Sequence, residues 1–543
     1  MRACNNHALR QGTSNLLIST MDQNSALSSD FYHFLAALGI ILVIVGFAEF
    51  LKSILKMQSG VTRKIVHVGT SVLVALSPNY FETGFYPAVL AVLFIPFNLL
   101  AIKKGWLSSI NKDEALEAHH QDQNYGTVYF PLSFLILTLL CWDSHAWIMQ
   151  TAMLILGFGD AFASLVGENT EKPHAYKLLA STKSLEGSIT MFGTSLIILV
   201  GAFVVFQDQS EVIKQMDLSV VIALCVAIAL IVTAVEALLS GGLDNLFIPL
   251  SVAYLLAVLE TNGIGAVQGI LLGVSLSLIL ARASLAFKFL TPDGAVGTFL
   301  FGSNIFSMGG VEWTVPILTF FLLSSVLSKL GKSRKKKYDL IFEKSSQRDF
   351  GQVLANGGVG WILIIWYSFT NEPMLFIAYL GTLAAVQADT WATEVGTMMK
   401  DPKPRFILNM KPVPAGTSGG ITFTGTMGGF FGALLICASA WAIMPDELMS
   451  VGLVQSFLIV GLAGAGGSLV DSFFGATVQA QYYDPIRKKE TERTHSVAAD
   501  GTIVENELIK GYRIIDNDIV NFLCATMGAL FATFLTYFMV GQI

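Results

Sequence analysis

Apolar residues along the chain gather in long unbroken runs, not in the alternating or three-and-four spacing of half-buried elements. Runs such as 34–51, 220–239, 267–280 and 452–469 hold at most one charged residue each. Most approach the roughly 20 residues that carry a helix across a hydrocarbon core of about 30 Å. In lipid every backbone N–H and C=O must be satisfied within the segment, so such runs predict helices. The ten-residue alternation of a membrane β-barrel is absent. The pattern predicts an all-α polytopic membrane protein of about 16 transmembrane helices. Polar sequence is confined to residues 1–30, short connections and an insert near 479–516.

Lys and Arg cluster near 52–64, 103–104, 172–183, 329–337, 400–411 and 487–489, whereas connections 77–84, 142–145, 260–263 and 445–448 have none. Basic loops stay on the cytosolic side. The alternation therefore predicts a multi-pass protein of a plasma or inner bacterial membrane with both termini outside. Only 13% of the 543 residues are charged, about half the fraction of soluble proteins. The net charge of −6 gives no reason to expect a nucleic-acid partner. The five cysteines are scattered, without disulfide or zinc spacing. The polar stretch 1–30 lacks the apolar core of a signal peptide.

Part of the chain recurs. Asp160-Ala161-Phe162-Ala163-Ser164-Leu165-Val166-Gly167 is matched by Asp389-Thr390-Trp391-Ala392-Thr393-Glu394-Val395-Gly396. Downstream, Gly187-Ser188-Ile189-Thr190 is matched by Gly419-Gly420-Ile421-Thr422. The recurrence predicts a tail (1–30) and two parallel eight-helix repeats, 31–261 and 262–543. On that alignment Ala415 and Ser418 replace Lys183 and Glu186.

Acids collect at span ends on the basic face. In the first half these are Asp160, Glu186, Glu236 and Asp244, with Asn245, Lys183, Arg63, Lys64 and His67 nearby. In the second they are Asp389, Glu394, Asp471 and Asp518, with Asn521 and the turn Gly416-Thr417-Ser418-Gly419. Asp293 and the polar run 348–356 share that face, and Lys411 or Arg405 is the expected cation. The plain alternative is that each acid caps a helix or sits solvated at the interface. For Glu236, set inside an apolar span, that alternative is weak. The functional reading is a magnesium–nucleotide site. Mg²⁺ takes one or two carboxylates plus phosphate oxygens, and Gly-rich helix starts admit phosphate to backbone amides. No Gly-x-x-x-x-Gly-Lys-[Ser/Thr] loop occurs, which excludes a P-loop.

These motifs resemble two families. Arg63-Lys64-x-x-His67, Gly126-Thr127-x-Tyr129-x-Pro131, Gly159-Asp160, Lys183-Ser184-x-Glu186-Gly187-Ser188 and Glu236…Asp244-Asn245 resemble the phytol kinase/dolichol kinase family, which phosphorylates polyprenyl alcohols with CTP. Gln352-Val353-Leu354-Ala355-Asn356-Gly357, the Asp389 motif, Pro414–Gly420 and Asp471-Ser472-x-x-Gly475-Ala476-Thr477-x-Gln479 resemble the family whose plant members are assigned as phytyl-phosphate kinases.

The resemblance implies a fusion phosphorylating one lipid alcohol twice, with Mg²⁺ and CTP or another nucleoside triphosphate as donor. It implies catalytic roles for Asp160, Lys183, Glu186, Glu236, Asp389, Glu394 and Asp471. Nucleotide contacts would come from Arg63, Lys64, His67, Gly187, Ser188, Asn245, Gly416, Thr417, Ser418, Gly419 and Asn521. Metal contacts would come from Asp160, Glu236, Asp244, Asp389, Asp471 and Asp518. Partners would be lipid alcohol, lipid phosphate, nucleotide and membrane, with both sites facing the cytosol. Glu186 is expected to assist the neutral alcohol acceptor. A phosphatidate cytidylyltransferase-like enzyme and a transporter with parallel repeats are the competing readings.

Overall fold

The computed structural model describes residues 29–106, 124–179, 181–330, 347–399, 402–498 and 502–541. Most of the polar tail and the basic run 334–337 lie outside the described residues. The protein is predominantly helical and divides into two compact units, 1–264 and 265–543.

In the first unit, helices α1 (Ser29–Ser53), α2 (Ser59–Ala75) and α3 (Phe85–Lys104) precede α4 (Gly126–Leu154). A π-helical turn, Ile155–Asp160, joins α4 to α5 (Ala161–Asn169). Such turns are rare and concentrate at functional sites; here one carries Asp160. The expected short basic loop after α5 contains a hairpin, β1 (Ala175–Leu178) with β2 (Ser181–Ser184), pairing Tyr176 with Lys183. Helices α6 (Leu185–Val205), α7 (Leu218–Leu238) and α8 (Asp244–Asn262) complete the unit.

The second unit contains α9 (Ile264–Ala286), α10 (Pro292–Leu330), α11 (Phe350–Thr370) and α12 (Pro373–Met398). A short pairing of β3 (Arg405–Phe406) with β4 (Gly420–Ile421) leads into α13 (Phe423–Trp441), followed by α14 (Leu453–Thr477). The insert then forms β5 (Gln481–Asp484), β6 (Lys489–Thr491), β7 (His495–Val497), β8 (Ile503–Glu505) and β9 (Glu507–Lys510) before α15 (Asn517–Met539). A single small hairpin was the expectation there. The strands instead make a three-stranded sheet, β6-β5-β9, and a separate β7–β8 hairpin.

Helix α12 is the axis of this unit. Residues Leu375–Ala388 are all buried, and α13, α14 and α15 pack around them. Small residues permit the close approach that membrane helices rely on. A Cβ on Gly381 would lie 2.4 Å from the Gly528 carbonyl oxygen, and one on Gly467 would lie 2.4 Å from the Ala385 Cβ.

Twelve helices among the described residues are long and apolar enough to cross a membrane, fewer than the expected sixteen. Two of the twelve are broken within, α4 at His145 (φ −146°, ψ 59°) and α10 at Gly310 (φ 57°). Helix α2 has only 17 residues, and α12 is made more polar by its Gln387 and Asp389.

Local packing corrects the register of the sequence recurrence. In the first unit Ser184 Oγ caps α6 by accepting from Gly187 N, and a Cβ on Gly187 would press on the Ala163 carbonyl oxygen. In the second, Thr422 Oγ1 caps α13 by accepting from Gly425 N, and a Cβ on Gly425 would press on the Ala392 carbonyl oxygen. Gly167 and Gly396 likewise face Ser184 and Thr422. The counterpart of Gly187 is therefore Gly425, six residues beyond Gly419. Lys183 and Glu186 then correspond to Ile421 and Thr424, not to Ala415 and Ser418. The Gly-x-Ile-Thr at 419–422 repeats the pattern of 187–190 but ends on the capping residue Thr422, the counterpart of Ser184, which put the comparison out of phase.

Candidate functional site

In the first unit the hairpin, the π-turn and the starts of two helices bring the expected residues to one end. Lys183 Nζ lies 2.6 Å from Glu236 Oε1, and Glu236 is buried. Asp160 interacts electrostatically with Asp244, Lys183, Arg63 and Lys64. His67 Nε2 lies 3.2 Å from the Leu156 carbonyl oxygen and 3.7 Å from Asp160 Oδ2. Asp160 makes no helix-capping hydrogen bond, although it stands at a helix start. Helix capping thus does not account for Asp160. Burial disfavours a charge on Lys183, but Glu236 and Asp244 outweigh it and raise its pKa.

The break between α7 and α8 closes the site from below. Gly242 has φ +92°, and a Cβ there would lie 2.2 Å from Gly126 N, so only glycine fits. Gly126 in turn leaves room for Asn245 Nδ2 and Arg63 Nη2, which a Cβ would meet at 2.4 and 3.1 Å. Three expected residues face elsewhere. Glu186 accepts from His174, whose Nδ1 is 2.7 Å away, and so braces the loop before β1. Ser188 Oγ is 2.5 Å from Tyr176 Oη. Lys64 pairs with Glu168 at 3.0 Å.

The second unit encloses a cavity of about 600 Å³. Its walls include Gln352, Asn356, Asp389, Glu394, Asp471, Asn521 and the turn Gly416-Thr417-Ser418-Gly419. The carboxyl groups of Asp389 and Asp471 lie within hydrogen-bonding reach of one another. Ser468 Oγ is 3.5 Å from Asp389 Oδ1, while Asp471 Oδ2 is buried with no hydrogen-bond partner. Two facing carboxylates of this kind require a shared proton or a cation between them. Among the described residues no group of three or more His, Cys, Asp or Glu could hold a metal. Two carboxylates are a donor set that could hold Mg²⁺, which takes one or two carboxylates with phosphate and water for the rest.

The Gly-rich turn needs its glycines, by conformation at both positions and by close packing at Gly419. Gly416 and Gly419 have φ of +92° and +79°, and a Cβ on Gly419 would lie 2.4 Å from the Ala476 Cβ. Ser418 Oγ donates to Gln479 Oε1 (3.1 Å), and Gln479 Nε2 donates to Glu492 Oε1 (3.2 Å). This chain of contacts ties the turn to the insert, which also brings Arg493 to the cavity wall. The backbone of Arg493 is fixed on both sides: its N–H donates to Thr491 Oγ1 (3.2 Å), and its carbonyl accepts from Asn506 Nδ2 (2.8 Å).

The cations here are Arg348 and Arg493, not Lys411 or Arg405. Arg405 instead donates to the Met410 carbonyl oxygen within its own loop. Arg348 is positioned by backbone pairing with Phe289 and Thr291 and sits 5.3 Å from the Phe320 ring centroid. Burial draws its guanidinium down to about 10, opposed by Glu394, so it remains a cation at neutral pH. Glu394 accepts from Ser328 at 2.8 Å. Asp518 does not line the cavity, whereas Asn517 and Asn521 do. Positions 517 and 521 share a helix face, and 518 lies about 100° away. Asp293 accepts from Phe350 N and serves the start of α11. Sequence reasoning missed Ser325, Ser328, Glu492 and Arg493; an insert without periodicity gives no signal for the last two.

Asp484 organises the insert. It is buried and accepts from Ser496 Oγ (2.6 Å) and Arg487 Nη1 (2.8 Å). Burial opposes its charge, but those hydrogen bonds prevail and hold its pKa down to about 2. A carboxyl lowered in the folded state stabilises above its unfolded value of about 4, and that contribution fades as pH falls toward 2. Asp484→Asn is therefore expected to cost roughly 2 kcal/mol locally. Limited proteolysis at neutral pH should cut the insert faster, leaving the helices intact.

Residues 275–529 match the family described as integral membrane protein DUF92. The chain is 29% identical to Protein PGR of Arabidopsis thaliana over 49% of this chain and 94% of that protein. It is 30% identical to a phytol kinase of Synechocystis sp., over 38% of this chain and 82% of the relative. It is also 30% identical to an uncharacterised membrane protein of Methanocaldococcus jannaschii, over 34% of this chain and 74% of the relative. No solved structure matches significantly. The chain belongs to the phytol/dolichol kinase-like family of integral membrane proteins.

Proposed function

We propose that the chain phosphorylates a phytol-like polyprenyl alcohol twice, using CTP or another nucleoside triphosphate with Mg²⁺. The first unit would make the monophosphate and the second the diphosphate, both at the cytosolic face. The phytol kinase relative at 30% identity supports a prenol-kinase-like activity. The relatives named above each match less than half of this chain, which suits a chain with two working parts. The observation that carries the reading is the second unit's cavity. Its walls hold a half-buried carboxylate pair, a Gly-rich turn and two arginines.

In this reading Asp389 and Asp471 hold the cation, and Gly416, Thr417, Ser418 and Gly419 receive phosphate oxygens through amides and hydroxyls. Bound Mg²⁺ would neutralise the triphosphate and the charge that develops on transfer. Arg348 and Arg493 suit an acceptor that is already anionic. In the first unit the acceptor is a neutral alcohol. Asp160 would take the hydroxyl proton as the new O–P bond forms and the bond to the departing nucleoside diphosphate breaks. Lys183, held by Glu236, would face the transferring phosphoryl group. Glu186, committed to His174, is assigned to shaping the loop.

The purified chain in lipid vesicles, given phytol, Mg²⁺ and CTP, is expected to release CDP. Release of pyrophosphate with a CMP-bearing lipid would assign it to cytidylyl transfer instead. Movement of unaltered lipid without nucleotide consumption would make it a transporter.

A further inference from the structure

We propose that Gln479 is a positioning residue of the second unit. Its buried amide sets the Gly-rich turn against the insert, so that the donor's phosphates and the acceptor keep a fixed relation. This role rests on the lipid-kinase reading above. Gln479 ends the motif that begins at Asp471, yet it has no task in that reading. It is 3% exposed, and the two ends of its amide engage different segments. Oε1 accepts from Ser418 Oγ in the turn (3.1 Å), and Nε2 donates to Glu492 Oε1 in the insert (3.2 Å). Nε2 also lies 3.5 Å from Asn517 Oδ1 at the start of α15.

Neighbouring backbone holds that amide in place. Gly475 of α14 leaves the space the contact occupies: a Cβ there would lie 2.6 Å from Ser418 Oγ and 3.1 Å from Gln479 Oε1. Gln479 N donates to the Phe474 carbonyl oxygen. Gly511, at φ +76°, packs so closely that a Cβ would lie 2.1 Å from the Gln479 carbonyl oxygen. What the amide joins is chemically unequal. The turn is assigned the donor's phosphate oxygens, and Glu492 is followed by Arg493, which suits the anionic acceptor. An amide has one accepting and one donating end, so it can join a hydroxyl on one side to a carboxylate on the other. Phosphoryl transfer depends mainly on positioning and charge. Misplacing a reacting group by about 1 Å costs on the order of 100-fold in rate.

Gln479→Glu is the test. It keeps the acceptor toward Ser418 and sets a second carboxylate against Glu492, so that turn and insert are pushed apart. The purified full-length chain in lipid vesicles is given Mg²⁺, CTP and a prenyl monophosphate. In the variant kcat should fall on the order of 100-fold. The KM values for CTP and for the lipid should stay within about threefold of wild type, because the groups that bind each are retained. The same substitution is then made in a Glu492→Gln chain, where the amide at position 492 donates to the new carboxylate. There it should lower kcat by less than about threefold relative to Glu492→Gln alone. That comparison cancels whatever else Glu492 does. An equal loss in both backgrounds, or a loss carried by KM with kcat unchanged, would overturn the proposal. Should Gln479→Glu not fold, Gln479→Met keeps the length and removes both hydrogen bonds, and the same split of kcat from KM decides. Turnover by the wild type that Gln479→Glu leaves unchanged discards the positioning role and keeps the kinase. A wild type that consumes no nucleotide discards both.

Discussion

Asp389→Asn is expected to abolish phosphorylation of the lipid monophosphate while the alcohol is still converted, so that monophosphate accumulates. The carboxylates of Asp389 and Asp471 are half-buried in the cavity wall, and Asp471 Oδ2 is buried without a hydrogen-bond partner. Asparagine keeps the shape and removes the anion. Loss of a preorganised charged group at a phosphoryl-transfer site is expected to cost roughly 10³-fold in rate. Stability should move differently. With one of two facing acids neutralised, the melting temperature without metal should hold or rise, since repulsion between them is relieved. The wild type should instead be stabilised by Mg²⁺ with nucleotide, and the variant should lose that response. Thermal melts with and without Mg²⁺ therefore test the assignment independently of turnover. A rate loss with an undiminished Mg²⁺ response would remove Asp389 from the cation site.

Lys183→Met is expected to damage the first unit in two separable ways. It leaves Glu236, only 6% exposed, without the cation 2.6 Å away. Breaking a buried pair by removing one partner costs about 3–5 kcal/mol. Lys183 keeps some solvent contact, so the lower end of that range applies. The double variant Lys183→Met, Glu236→Gln removes both charges and should recover most of the stability. It should remain unable to phosphorylate the alcohol, because no cation then faces the transferring group. Recovery of activity along with stability would make the ion pair purely structural.

Much of this was legible in the sequence because lipid leaves few options. A run of about 20 apolar residues has to be a helix there, and an acid within such a run stands out. Glu236 stood out on that ground, whereas Asp160, Asp389 and Asp471 were marked by their place near span ends and, for Asp160 and Asp389, by the recurring motif. Helix phase alone could have corrected one expectation: Asn517 and Asn521 are four apart and share a face that Asp518, expected as a metal contact, does not. Tertiary pairing was not legible. The hairpin that delivers Lys183 to Glu236 looks in sequence like a loop, and Glu186 looks catalytic until His174 is found beside it. Arg493 sits in a polar insert where nothing repeats, and only the contacts of Thr491 and Asn506 reveal that its backbone is fixed. The recurrence of Gly-x-Ile-Thr was misleading for the opposite reason. Gly419–Thr422 repeats the pattern of Gly187–Thr190 but ends on the capping residue itself, and only the helix-capping contact showed that Gly425 is the equivalent of Gly187.

The most direct test of the central claim is a time course of lipid species when the wild-type chain is given phytol, Mg²⁺ and CTP. The monophosphate is expected to rise first and then fall as the diphosphate grows, with one CDP released for each phosphoryl group added. A monophosphate that accumulates without further conversion, or a lipid product carrying CMP, would contradict it.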